Sequence, residues 1–309
     1  MFIDISYNRP QLCANATWNP YGIIWAGQGL LGNEPYGLFI DQRDIIYGLT
    51  YGTSVVHVWR RNSTIPIRNI TGGLSNSESV FVASDDDVYV DNGAQSSKRR
   101  VDKWTTNSSS GTRVMNVTGA CTGLFMDRTN NLYCAMWNKH RVIRAPMNGS
   151  VTTAVIVAGN GSAGSSSNLL NGPVGIFIDD DFNLFVADSQ NDRIQRFSIG
   201  NLTGTTVLGV GIPTGASLNF PRSVILDADG NLYVADSSGH RIVRLGSDGF
   251  HSIIGCTGGS SNATNDLNEP ATIAFDSLGN IFVMEKENDR LQLFELLVNS
   301  CGKLVSKLE

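Results

Sequence analysis

Six times the chain writes a short apolar run, a polar turn and a second apolar run: "YGLFIDQRDIIYGL", "ESVFVASDDDVYVD", "TGLFMDRTNNLYCA", "VGIFIDDDFNLFVA", "RSVILDADGNLYVA" and "ATIAFDSLGNIFVM". The first run ends at Asp41, Ala83, Asp127, Asp179, Asp227 and Asp276, with spacings of 42, 44, 52, 48 and 49 residues. This period constrains the fold more than length does, because a unit of a few short strands cannot bury its own faces and must stack on its neighbours.

Within a unit the turns fix the pairing. "DADGN" and "DSLGN" place Asp, Gly and Asn where a tight hairpin needs positive φ and side-chain-to-backbone bonds, so the first two strands, a and b, are antiparallel neighbours. A third run, c, follows a polar turn, as in "RIVRL" and "RLQLF". A fourth, d, ends in Gly, as in "VIVAG" and "HSIIG". The sixth unit has no run d before the chain ends, whereas "YGIIWAG" (residues 21–27) precedes the first unit and belongs to none. The expectation is an all-β, six-bladed β-propeller with four-stranded blades, its ring closed by the N-terminal strand completing the last blade. Closure of this kind also removes an open sheet edge. The expected organisation is an N-terminal segment over 1–20, one propeller over 21–298 and a tail over 299–309.

"PVGIFIDDDFNLFVADSQNDRIQRF" and "PRSVILDADGNLYVADSSGHRIVRL" resemble NHL repeats, whose pattern runs Pro, small residue, Gly, apolar run, Asp, Gly-Asn, Tyr-Val-Ala-Asp and Asn-His-Arg-Ile. The resemblance extends over all six units and is closest in units four and five. Unit two departs from it, having lost the Gly-Asn turn and ending strand b with Asp91 and Asn92. The family implies a scaffold that serves several jobs, among them a peptide-amidating lyase, RNA-binding or ligase-associated modules, sensor domains and adhesion domains. The lyases bind zinc through a Pro-His motif on three blades. None of the corresponding positions here is His, and His140 and His240 fall instead in the Asn-His-Arg turn.

A net charge of −5 disfavours a nucleic-acid surface, which needs a basic face to displace counterions from phosphate. No run approaches the roughly 18 apolar residues of a membrane-spanning helix. Nine Asn-x-Ser/Thr sequons stand at Asn15, Asn62, Asn69, Asn107, Asn116, Asn148, Asn160, Asn201 and Asn262, against the roughly four or five that composition gives by chance. They point to a secreted or extracellular glycoprotein, although "MFIDISYNRP" shows no signal peptide. Asn62, Asn107, Asn148 and Asn201 occupy c-to-d turns and Asn15 the matching place before the closing strand, whereas Asn160 and Asn262 lie in d-to-a loops.

Of five cysteines, Cys13 and Cys301 flank the strands that close the ring and are expected to form a disulfide. Cys121 and Cys134, on adjacent strands of unit three, are a second pair or else buried free thiols. Cys256 is left over.

The starts of strands a and the ends of strands b share one end of the ring. Strand-a starts bring Tyr36, Glu78, Thr122, Val174, Arg222 and Ala271 there, with Glu78 and Arg222 on opposed units two and five, so that a polar ligand could bridge them. Strand-b ends bring Thr50, Asn92, Met136, Asp188, Asp236 and Glu285. The last three could attract calcium or a cationic ligand, or could pair with Arg193, Arg241 and Arg290, each five residues on, as scaffolding. The reading favoured is a non-enzymatic extracellular scaffold that presents this face to a protein, peptide or glycan and needs no cofactor. The alternative is a metal-assisted lyase or hydrolase.

Overall fold

A computed structural model describes residues 5–92, 99–106, 108–147, 154–212, 216–255 and 259–299. Six four-stranded antiparallel sheets surround an axis. The inner strands a are Pro35–Ile40, Val80–Val82, Gly123–Met126, Pro173–Ile178, Pro221–Leu226 and Pro270–Phe275. Each touches the next, and the sixth returns to the first. In blades two, four, five and six strand b is buried along its whole length, packed between neighbouring sheets. The chain is therefore the six-bladed β-propeller expected from the repeat.

Closure follows the sequence reading. Ile23–Ala26 pairs antiparallel with Arg290–Phe294 as the outer strand of blade six. A second clasp, unforeseen, pairs Thr17–Trp18 with Leu296–Val298 outside the blade.

The a-to-b hairpins show why the repeat retains its Asp. In blades one and three to six, one carboxylate oxygen of Asp41, Asp127, Asp179, Asp227 or Asp276 accepts hydrogen bonds from the backbone N–H groups two and four residues ahead. The residue between those donors takes a left-handed conformation, which is why Gly230 and Gly279 recur there.

The Asn-His-Arg turn latches blade to blade. Ser54, His140, Asp192, His240 and Asp289, all at positive φ, accept backbone N–H groups of Asn76, Gly172, Phe220, Glu269 and Glu34 on the following blade. His140 and His240 thus serve backbone groups, through Nδ1.

Small residues follow the strand-a starts because the next blade's backbone crowds them. A Cβ on Gly123 would sit 2.2 Å from the Val174 carbonyl oxygen, and one on Gly175 2.5 Å from that of Arg222. Where a hydroxyl fits, it ties the blades. Ser79 Oγ donates to Cys121 O at 2.5 Å and Thr272 Oγ1 to Tyr36 O at 2.6 Å.

Deeper in the channel Phe39, Phe81, Phe125 and Phe177 form an arc with centroid spacings of 4.9, 5.3 and 4.9 Å. Tyr7 from the N-terminal segment packs against this arc, 5.1 Å from Phe125 and 5.4 Å from Phe177. Residues 7–10 cross the hairpin end of the ring. Asn8 Nδ2 donates to the carbonyls of Asp41 and Phe275, Arg9 donates to that of Asp227, and Pro10 O accepts from Ala228 N. The segment is a plug, and it occludes the hairpin end of the channel.

Candidate functional site

Among the described residues no segment plugs the opposite end. There a cavity of about 270 Å³ is lined by Tyr36, Glu78, Ala120, Thr122, Trp137, Asn138, Val174, Phe220 and Arg222. It continues inward into a channel of about 110 Å³, which Tyr7 and Asn8 help to line. Tyr36, Glu78, Thr122, Val174 and Arg222 reach one cavity from five blades because the strand-a starts converge on the axis.

Chemically the cavity has two poles. The Arg222 guanidinium lies over the Tyr36 ring at 4.8 Å, and Tyr36 in turn meets Tyr51 edge-on at 5.8 Å. Among the described residues Arg222 makes no side-chain hydrogen bond and has no carboxylate within 4.0 Å, and its Nε is buried without a partner. Glu78 is half-buried, and burial raises its carboxyl above the ordinary value, with Arg222 opposing and Glu34 adding to the shift. Burial likewise raises the Tyr36 phenol, opposed by Arg222. The Thr122 hydroxyl is occupied by the carbonyls of Ala135 and Pro173, so Thr122 lines the cavity while joining blades three and four.

The strand-b acids lie elsewhere. Asp188, Asp236 and Glu285 are each 0% exposed. Arg193 Nε meets Asp188 at 2.7 Å, Arg241 Nε meets Asp236 at 2.8 Å and Arg290 Nε meets Glu285 at 2.6 Å. The same carboxylates accept the backbone N–H of Asn171, Asn219 and Asn268. Arg193 and Arg290 also hold three loop carbonyls each. These pairs anchor the d-to-a loops, and the structure does not bring them into the mouth. No group of three or more His, Cys, Asp or Glu side chains suited to a metal ion occurs among the described residues.

Four lining residues escaped the sequence reading: Ala120, Trp137, Asn138 and Phe220. Trp137 and Phe220 pack at 5.4 Å as an aromatic wall. Both break the repeat. Trp137 stands where units four and five have Ser189 and Ser237, and Phe220 where the others have Glu34, Asn76, Ala120, Gly172 and Glu269. Phe220 has φ of 55°, and Glu34, Asn76, Gly172 and Glu269 at the same place on their blades are also left-handed, so the repeated turn sets this conformation and Phe220 adopts it despite its bulk. Departures from the repeat were the signal that could have found them.

Cys121 and Cys134 form a disulfide, with a Cα separation of 5.1 Å. Cys13 is disulfide-bonded. Its expected partner Cys301 lies outside the described residues, as do Cys256, Asn107 and Asn148. Asn15, Asn62, Asn69, Asn116, Asn160, Asn201 and Asn262 are all exposed. In Asn160 and Asn201 the side-chain oxygen accepts the N–H two residues on.

The comparisons with known proteins agree with this geometry at the level of fold. The NHL repeat family matches residues 218–245, which contain the "PRSVILDADGNLYVADSSGHRIVRL" stretch. No curated protein matches the sequence. Among solved structures, a protein of unknown function from Bacteroides thetaiotaomicron is similar with a TM-score of 0.72 and 16% identity, over 96% of this chain and 76% of the other. An auxiliary nutrient binding protein from the same organism has a TM-score of 0.69 and 16% identity, over 94% and 75%. Virginiamycin B lyase from Staphylococcus aureus, solved with quinupristin, has a TM-score of 0.60 and 15% identity, over 88% and 98%. With six four-stranded blades closed by the N-terminal strand, the chain is a six-bladed propeller whose fifth blade carries an NHL repeat at residues 218–245.

Proposed function

We propose that the chain is a non-enzymatic extracellular binding scaffold whose ligand, a protein segment, peptide or glycan, seats in the open mouth of the propeller. The observation that carries this reading is the pairing of Glu78 and Arg222 in one cavity with neither charge neutralised by a salt bridge within 4.0 Å among the described residues. Elsewhere on that end the acids and arginines neutralise one another, as Asp188 and Arg193 do. Unpaired, part-buried charges are costly, and a ligand that satisfied them would recover that cost. Pockets with an aromatic wall and a few convergent polar groups are typical small-ligand or side-chain sites.

The Cys121–Cys134 disulfide and the exposed sequons support an extracellular setting, since disulfides persist in oxidising compartments. Binding of nutrients is the role described for one of the similar propellers, and a mouth that is open while the other end is plugged suits such a role.

Reversing both charges together, Glu78→Arg with Arg222→Glu, is the test. The variant is expected to keep the thermal midpoint of the parent to within a few degrees and to lose partner binding in a pull-down from extracellular fluid. Binding that survives the double reversal would reject the mouth as the site. Intact mass before and after glycan removal checks the compartment, and an unmodified chain from a secretory host would count against it.

A further inference from the structure

Resting on that reading of the mouth, we infer that the ligand group held there is a carboxylate, gripped by Arg222, with an N–H or O–H donor facing Glu78 and a flat face against Trp137. Among the described residues the Arg222 guanidinium stacks on Tyr36 at 4.8 Å and its Nε is buried and unpartnered. A planar guanidinium with free donors matches a carboxylate in two parallel hydrogen bonds. Stacking restricts the guanidinium, so less rotamer freedom is lost when those bonds form.

The other pole selects among anions. Glu78 lines the same cavity, and Glu34 lies near enough to raise its carboxyl further. A phosphate monoester would bring up to two negative charges against these acids with one arginine to offset them. A single carboxylate balances Arg222, and Glu78 is left to accept hydrogen from the ligand's far side. Asn138 adds a neutral polar group to the lining, and a cavity of about 270 Å³ admits one sugar ring or one amino-acid residue. Trp137 is seated by close approach to Gly172, where an added Cβ would lie 2.8 Å from the indole. The indole is thus a fixed platform for a ring face.

Two sources share this chemistry: an acidic sugar, whose hydroxyls would face Glu78, and an amino acid or peptide C-terminus, whose ammonium or amide N–H would. Calorimetric titration of the whole chain with galacturonate against galactose, and with phenylalanine against phenethylamine, separates them. At least one acid is expected to bind, with its carboxylate-free analogue about tenfold or more weaker. Arg222→Gln should weaken that acid by about 10- to 100-fold, while Trp137→Ala weakens acid and analogue alike. Equal binding of acid and analogue, an unchanged Arg222→Gln variant, or no binding by either acid overturns the carboxylate assignment. If a neutral analogue binds and is lost in Trp137→Ala, the carboxylate assignment fails while the mouth stands. If a bound probe is indifferent to both Trp137→Ala and Arg222→Gln, the mouth fails with it.

Discussion

The Arg290–Glu285 pair shows what a single residue of the repeated phrase does. The two side chains are 5% and 0% exposed, and Arg290 also holds the carbonyls of Asn262, Ala263 and Asp266. Arg290→Met leaves a buried carboxylate without its counter-charge and three carbonyls without their donor, so a loss of about 3–5 kcal/mol is expected. The denaturant midpoint of the variant against the parent measures it, and a change below about 1 kcal/mol would mean the pair is not structural. Asp91 poses the opposite case. It is buried, accepts Cys121 N–H through Oδ1 and leaves Oδ2 unpaired. Burial first, opposed by that hydrogen bond and reinforced by Glu78, raises its carboxyl well above the ordinary value. The folded chain therefore holds this proton more tightly than the unfolded chain does. The resulting stabilisation is complete below the unfolded carboxylate range and is lost as pH rises through the folded value. Asp91→Asn, which keeps the Cys121 bond and cannot ionise, is expected to gain on the parent between pH 5 and pH 8. Thermal midpoints at the two pH values decide, and a constant difference between parent and variant refutes it.

Among elements, the inner strands and their junctions set both stability and site geometry. The Cys121–Cys134 bridge joins residues 13 apart in sequence and ties the lead-in to one inner strand to the strand beside it. Loop-closure entropy for a ring of that size is worth about 3 kcal/mol. A Cys121→Ala/Cys134→Ala chain should unfold at correspondingly lower urea, and reductant should lower the parent's midpoint by more than that of the variant, which keeps the Cys13 bridge. Gly175 lies at the junction of blades four and five, where an added Cβ would press on Arg222 O at 2.5 Å and Ser223 Cα at 2.8 Å. Gly175→Ala is expected to cost about 1–3 kcal/mol through this overpacking. It should also weaken ligand binding, because the strand it displaces carries Arg222. Unchanged stability would show that the junction yields more freely than the close approach implies.

For the molecule as a whole, the N-terminal segment has two tasks, closing blade six through Ile23–Ala26 and plugging the hairpin end through Tyr7. The plug makes the two ends of the ring unequal, and the unequal ends give the propeller one mouth. Tyr7→Ala removes the ring that meets Phe125 and Phe177 while leaving the Asn8 and Arg9 hydrogen bonds in place. A stability loss of about 3–5 kcal/mol is the upper expectation for so large a truncation, with mouth binding retained, as denaturant titration and calorimetry would show.

Residue spacing alone determined the six blades, the hairpin turns and the strand that closes the ring. Each is a local or repeating constraint, written as Asp and Gly at turns, alternating apolar runs and an orphan strand at residues 21–27. It also placed Tyr36, Glu78, Thr122 and Arg222 at one end, because strand order fixes which strand starts converge. The acids Asp188, Asp236 and Glu285 share that end in sequence order, and only packing could show them buried beneath the loops that their arginines hold. Tertiary structure alone decided that Trp137 and Phe220 face each other and that Tyr7 fills the channel from below. These contacts join residues far apart in the chain, and whether they form depends on distances across the ring that no local pattern encodes.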